Sequence, residues 1–215
     1  MRKTSLFSAV QLPTLKSKGV EILTEAIFSG KIKPGERLNE SQLSRELHIS
    51  RAPIREALQQ LQEQGLVANR VRRGMFVVDL TPDHVQKINS VRIVLEGHCL
   101  RLARANMTTT IEARLQQILE RLERSESAPP GVRVRLDFDF HRTIWASTGN
   151  EYLERTLTSL AGPLYVNAVI RVLQSDKIRH IIYSHRPLLQ FVQGLSKEPA
   201  ESIMADHLKV PWNVS

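Results

Sequence analysis

From Leu15 the chain repeats apolar residues at three- and four-residue steps, through Ile22, Leu23, Ala26 and Ile27. That is the period of one buried face of an amphipathic helix. The period stops at Ser29-Gly30, and Pro34-Gly35 marks a turn. A second, shorter helix is predicted from Asn39, a good N-cap, with Gln42 in the capping-box position and Leu43 and Leu47 as its apolar residues. His48-Ile49-Ser50 is a tight connection, and Ser50 is placed to cap a third helix. Pro53 falls in the first turn, where its missing N–H does no harm, and Ile54, Ala57, Leu58 and Leu61 mark the buried stripe. Gly65 reads as a left-handed residue closing that helix. Leu66–Arg70 and Met75–Val78 then read as short strands around Arg72-Arg73-Gly74, a β-hairpin.

The pattern changes after Asp79-Leu80. Thr81-Pro82-Asp83 is a helix start, with a Thr cap, Pro in the first position and an acid in the first turn. Amphipathic segments follow over 83–106, 110–125, 133–147, 150–174, 176–194 and 200–209. Ala128-Pro129-Pro130-Gly131 reads as a loop, and Gly162-Pro163 is expected to kink or split its helix. The expected fold is mainly α. Residues 1–80 form a winged helix-turn-helix of three helices plus a β-hairpin, preceded by a basic arm over 1–13, and residues 81–215 form an all-α bundle of six or seven helices.

Composition narrows the class. Of 215 residues, 41% are apolar and 24% charged, a globular balance rather than a disordered one. No apolar run is long enough to cross a bilayer, and the N-terminus has no sustained apolar stretch of the signal-peptide kind. The single cysteine, Cys99, cannot close an internal disulfide and suits a reducing compartment, so a cytoplasmic protein without membrane partners is expected. The net charge of +8 invites a polyanionic partner, although a solvated basic face alone gives the same number.

The arginines decide between those readings. The third helix opens Ser50-Arg51-Ala52-Pro53-Ile54-Arg55, which puts Arg51 and Arg55 on one side, flanking the apolar stripe. Such a helix can lay its N-terminus in the major groove, where arginine bonds bidentately to guanine. Ser41 and Ser50 can reach phosphates, and the hairpin tip with Arg70, Arg72, Arg73 and Gly74 can reach an adjacent groove or the backbone. Each arginine taken singly reads more readily as an ordinary surface residue, since arginine is common on helix surfaces.

Taken together, Pro34-Gly35, Leu38, Leu43-Ser44, Ser50 to Leu58, Leu61, Gly65-Leu66-Val67 and Arg73 to Val77 resemble the winged-helix domain of GntR-family bacterial repressors. The resemblance implies DNA contacts from Arg51, Arg55 and the tip around Arg73-Gly74. A basic contact common in the family's second helix has no counterpart here, where Ser41 and Gln42 stand and Arg45 lies farther on.

Among the histidines, His48, His84, His98 and His180 have no partner at metal-ligand spacing. Asp137 precedes His141 by one helical turn, and His185 and His207 each lie among apolar residues, where an unpartnered polar group incurs a desolvation cost. An Asp–His pair one turn apart also arises by coincidence on helix surfaces. Asp137 with Phe140-His141, Gly149-Asn150, Leu153, His185-Arg186 and Ala200, Met204, His207-Leu208 resemble the FCD ligand-binding domain of the FadR subfamily. By that resemblance Asp137, His141, His185 and His207 hold a divalent metal: Zn²⁺, with Ni²⁺, Mn²⁺ or Fe²⁺ also acceptable to such a donor set. Pro211 limits the last helix and the hold of its histidine.

The implied protein is a dimeric, ligand-responsive repressor of a palindromic operator, its effector a small organic acid completing the metal's shell. Arg92 is the candidate to pair with that acid's carboxylate, the alternative being an ion pair with Glu96 in its own helix. Two other functions stay open: a metal-dependent enzyme, for which no HExxH, phosphate loop or nucleophile–base pair is found, and a constitutive DNA binder with a purely structural metal.

Overall fold

The computed structural model describes residues 14–172 and 184–209. The basic arm over 1–13, His180, Pro211 and most of the first half of the helix expected over 176–194 lie outside the described residues.

Helix α1 (Leu15–Phe28) starts at Thr14, whose hydroxyl accepts from the Ser17 N–H. It buries Leu23, Ile27 and Phe28, and Gly19 brings it close to Ala57 on α3. Asn39 caps α2 (Glu40–Leu47) by accepting from the N–H groups of Ser41 and Gln42. The Gln42 side chain turns away to Glu46 rather than back to the cap, so the capping box is only half made. His48 ends α2 in the left-handed conformation at φ 52°, which sets the sharp turn into α3 (Arg51–Glu63). Ile54, Ala57, Leu58 and Leu61 are fully buried, as their spacing predicts, and Gly65 closes the helix at φ 71°.

Strands β2 (Val67–Arg70) and β3 (Gly74–Val77) pair antiparallel, with Arg70 opposite Gly74. Arg72 and Gly74 both take positive φ in the tip. A two-residue strand, β1 (Arg37–Leu38), adds to the outer side of β3 and gives the order β1-β3-β2. Two residues carry no period, so β1 had no signature in the sequence.

Six helices follow among the described residues: α4 (Pro82–Ala105), α5 (Thr109–Glu123), α6 (Pro130–Ser147), α7 (Glu151–Val172), α8 (Arg186–Val192) and α9 (Ala200–Leu208). Thr81 caps α4 in a capping box completed by His84. Two expectations are corrected. Pro130-Gly131 is not loop but the first turn of α6: Pro130 needs no N–H partner there, and Gly131 lies against the Phe28 carbonyl, where any Cβ would collide. Gly162-Pro163 does not split α7, which runs through Pro163. The long helices enclose a core around Leu100, Leu115, Leu119, Leu122, Phe140 and Trp145, all nearly inaccessible. No helix among the described residues is long and apolar enough to cross a membrane.

Candidate DNA interface and metal centre

The face expected to meet DNA is built by the start of α3, the start of α2 and the sheet tip. Ser50 occupies the N-cap position of α3 with an extended backbone, but its side chain makes no capping hydrogen bond. Its exposed hydroxyl therefore remains uncommitted to the helix, a correction to the expected cap. Arg51 and Arg55 are exposed one turn apart. Arg51 donates to the Ser41 hydroxyl, and the Arg55 Nε lies 3.2 Å from a Glu40 carboxylate oxygen. Both partners sit in the first turn of α2, so the two arginines are held at the junction of the helix-turn-helix.

At the tip, Arg70, Arg72, Arg73 and Gly74 are exposed, and the Arg73 N–H closes the turn onto the Arg70 carbonyl at 2.9 Å. Arg70 stacks its guanidinium over the Phe76 ring at 4.5 Å. Arg37 of β1, opposite Phe76 and beside Gly74, joins this basic edge. Sequence reading missed Arg37 because β1 itself was invisible.

The second constellation is inside the helical bundle. Asp137 and His141 share one side of α6, His185 is the residue immediately before α8, and His207 lies in the last turn of α9. His185 is thus a cap-position residue, not a member of a helical stripe as the sequence implied. The Nε2 atoms of His141 and His207 are 2.9 Å apart. One Asp137 carboxylate oxygen lies 3.1 Å from the Nε2 of His185 and 3.5 Å from that of His141. All three imidazoles are buried, and their ring centroids lie 4.7 to 5.3 Å from one another.

Each of two imidazoles is steered from behind. The Nδ1 of His141 lies 2.8 Å from a Glu96 carboxylate oxygen, and the Nδ1 of His207 lies 3.2 Å from the Ser184 carbonyl. An acceptor at Nδ1 holds the proton there and leaves the Nε2 lone pair facing the centre, the outer arrangement of a metal-ligating histidine. Lone pairs meeting at 2.9 Å beside a carboxylate call for a cation or a shared proton between them. Ligand nitrogens about 2.0–2.1 Å from a tetrahedral Zn²⁺ sit about 3.3 Å apart, so a small widening suffices to seat the ion.

Electrostatics favour the ligating forms. Burial pulls the Asp137 carboxyl upward, but His185, His141 and Arg92 outweigh it and keep it below the ordinary carboxylate value. His207 is pushed well below the usual histidine range, first by burial and then by His185, His141 and Arg92. The neutral imidazole is the one that binds metal. The sign for stability follows: an unfolded His207 takes a proton below about pH 6.5 that the folded one refuses, so the metal-free fold loses stability as pH drops through that value.

Arg92 does not stand free to meet a ligand. It is 4% exposed and its Nε lies 2.5 Å from the Glu96 carboxylate, itself 2% exposed, so the ion-pair alternative is the one realised. Burial opposes the Glu96 charge, yet Arg92 and His141 hold its pKa at about 2. The same carboxylate accepts from the Trp145 indole at 3.1 Å. A second carboxylate brought to Arg92 would have to displace Glu96 from its only guanidinium partner among the described residues, leaving it in the interior with His141 and the Trp145 indole alone. Trp145 and Tyr165, whose ring faces Arg92 at 5.9 Å, were not singled out from the sequence, since their meeting with this pair depends on how α4, α6 and α7 pack.

Two family descriptions match this sequence: "Bacterial regulatory proteins, gntR family" over residues 16–77 and "FCD domain" over residues 87–210. The HTH-type transcriptional regulator YdhC of Bacillus subtilis (strain 168) is 30% identical over 190 residues, which span 86% of this chain and 84% of that protein. The gluconate operon transcriptional repressor of Bacillus licheniformis is 34% identical over 142 residues, 64% of this chain and 58% of that protein. Among solved structures, E. coli McbR/YncC shares the fold with a TM-score of 0.76 at 22% identity, covering 92% of this chain and 94% of its own.

Proposed function

The chain belongs to the GntR family of bacterial regulatory proteins and carries an FCD domain, and from that premise we propose a metal-assisted repressor that leaves its operator when a small organic acid binds. It is a DNA-binding transcriptional regulator. The observation that carries the reading of its DNA face is the pair Arg51 and Arg55, exposed one turn apart at the start of α3 and held from α2, with the basic edge of the sheet beside them. Such a helix reads one major-groove site, so the working form is a homodimer on a palindromic operator, its two recognition helices about 34 Å apart. Relatives are named as transcriptional regulators and as an operon repressor, which supports regulation over a catalytic role.

Asp137, His141, His185 and His207 would hold the divalent ion, Zn²⁺ in the first place and Ni²⁺, Mn²⁺ or Fe²⁺ as acceptable occupants. A bound ion would supply a positive centre, to which an anionic ligand could add where the coordination number rises above the four protein donors. The chain's own residues do the rest. Glu96 fixes the ring of His141, Arg92 neutralises Glu96, and Tyr165 relays the packing of the site into α7. A carboxylate effector is supported by the local balance: two carboxylates, Glu96 and Asp137, face one guanidinium and a dication, which leaves one positive charge for a monoanion.

The test is selection of DNA from a random pool by the full-length protein, followed by Arg51→Ala and Arg55→Ala. Each variant is expected to lose about 1–3 kcal/mol on the selected operator and less on random duplex. Binding should weaken steeply with salt, since phosphate neutralisation supplies most of the affinity. Equal losses on every sequence would make the two arginines phosphate anchors and remove them from base readout. Titration of small carboxylates against the operator complex then distinguishes a responsive repressor from a constitutive binder.

A further inference from the structure

The last turn of α3 and the linker after β3 meet α7 along one line, and the contacts there are unusual. Gly65 and Gly162 face each other's backbone. A Cβ on Gly65 would collide with the Ser159 carbonyl oxygen, and a Cβ on Gly162 would collide with the Gln64 carbonyl oxygen. The exchange is reciprocal, each glycine admitting a carbonyl of the other segment, as in the close backbone approach that permits Cα–H···O contacts. Pro163 contributes on the same line: it has no N–H to return to Ser159, so that carbonyl lacks its usual helical donor just where Gly65 arrives.

One turn further along α7, Asn167 is buried and spans the linker. Its side-chain oxygen accepts from the Leu80 N–H at 3.0 Å, while its amide nitrogen donates to the Val78 carbonyl at 3.2 Å and to the Pro163 carbonyl at 2.8 Å. A single side chain therefore satisfies backbone groups on both sides of Asp79, the residues that join the hairpin to α4. Nothing in helix formation requires a glycine, a proline and a buried asparagine within six positions of α7. Glycine costs about 1 kcal/mol in a helix interior and proline about 3 kcal/mol.

The opposite exposure of the same helix looks to the histidines. Tyr165 packs on Phe138 at 4.9 Å between ring centroids, and Phe138 in turn meets Phe28 of α1 at 5.9 Å and Trp145 at 6.2 Å. His141 lies 6.5 Å from the Tyr165 ring. Helix α7 is thus packed against the candidate metal centre on one side and against the DNA-binding module on the other.

We infer that Asn167, with the Gly65–Gly162 contact, positions the winged-helix module on the helical bundle and is the point at which a movement of α7 reaches the DNA. The seam touches only the C-terminal end of α3 and leaves its first turn, with Arg51 and Arg55, untouched, so it governs how two modules are presented together, not how one module reads a half-site. This inference takes its DNA readout from the dimeric repressor proposed above.

The full-length chain provides the test through two variants. Gly162→Ala adds a methyl at the seam while improving the helix propensity of α7, so the bundle itself has no reason to weaken. Asn167→Asp keeps the acceptor for Leu80 but turns the two donor contacts into a carboxylate facing carbonyls. Hydrogen exchange at the Leu80 amide is expected to quicken by about tenfold or more in Asn167→Asp, because local opening of the linker becomes easier. In both variants affinity for the selected two-site operator should fall about tenfold while affinity for a single half-site stays within about twofold, since only the pre-positioning of linked sites is lost. Zn²⁺ uptake should match that of the parent.

Unchanged Leu80 exchange together with unchanged operator affinity would overturn the inference. So would equal losses on half-site and operator, which would place the defect in the reading helix. If the parent protein binds a half-site as tightly as the operator, the dimer reading fails, and Leu80 exchange with the distance between labels on α3 and α5 still decides the seam.

Discussion

Glu96→Ala is expected to cost the folded chain about 3–5 kcal/mol, because it removes the carboxylate bonded to the buried Arg92 guanidinium and leaves only the more distant Asp137 as counter-charge among the described residues. Arg92 and Glu96 are 4% and 2% exposed and 2.5 Å apart, so water cannot take over the missing carboxylate without opening α4 from α6 and α7. The substitution also removes the acceptor of the His141 Nδ1 proton and of the Trp145 indole. Urea unfolding of the full-length chain measures the first effect. Replacing both partners, as Arg92→Met with Glu96→Gln, should recover much of the loss, since a neutral pair leaves no buried charge uncompensated. Zn²⁺ titration measures the second effect: loss of a partner behind a ligating histidine weakens metal binding about 10–100-fold. A cost below about 1 kcal/mol would mean that the pair is solvated in solution and that the interior does not depend on it.

That ion pair also shows where sequence reading reached its limit. Arg92 and Glu96 stand one turn apart, so the pair was legible as an alternative, but only the packing of α4 against α6 and α7 turns a surface motif into a buried one. Local signals did well where they are strong. The stripe Ile54, Ala57, Leu58 and Leu61, the left-handed Gly65 and the Thr81 start of α4 are all realised. Signals that depend on a neighbour failed. Pro129-Pro130-Gly131 looked like a loop, yet the Phe28 backbone waits for the bare Cα of Gly131, and α6 starts there. Gly162-Pro163 looked like a break, yet Gln64 and Gly65 occupy the space those residues leave, and α7 continues. In both cases the apparent helix breaker is the residue that lets another segment approach.

The candidate centre was legible differently. Asp137 and His141 carry their proximity in their spacing, whereas His185 and His207 are 44 or more positions farther on and were joined to them by resemblance alone. The fold brings the three imidazoles together and sets Asp137 against His185 and His141, with the back of His141 on Glu96 and that of His207 on the Ser184 carbonyl. None of these outer partners has a sequence signature, since a backbone carbonyl is a property of the chain path. The DNA face divides the same way: Arg51, Arg55, Arg72 and Arg73 follow from their helix and turn, and Arg37 required the sheet order.

Zinc is expected to stabilise the full-length protein, and His185→Ala to abolish that gain. Free Zn²⁺ at about a hundredfold excess over its dissociation constant should add about 2.7 kcal/mol to the unfolding free energy, by simple linkage of a ligand that binds only the folded state. The folded chain is the state that gathers the ligands: three helical regions contribute, and the unfolded chain has only Asp137 and His141 near one another. His185 is the informative position because it is fully buried, faces Asp137 at 3.1 Å and has no partner on its own Nδ1 among the described residues. Its ring is therefore held by packing against Phe140, at 5.1 Å, and by whatever Nε2 binds. Alanine removes a ligand and leaves Asp137 without its nearest cationic or hydrogen-bonding neighbour, so the variant should unfold at the same urea concentration with and without Zn²⁺. His98→Ala, an exposed histidine on α4, is the control and should keep the full zinc response. Half-site DNA affinity should change little in His185→Ala, since Arg51 and Arg55 lie in the other module. If Zn²⁺, Ni²⁺ and Mn²⁺ all leave the unfolding of the parent protein unmoved, Asp137, His141, His185 and His207 form a proton-sharing polar cluster rather than a metal site, and the repressor reading stands without it.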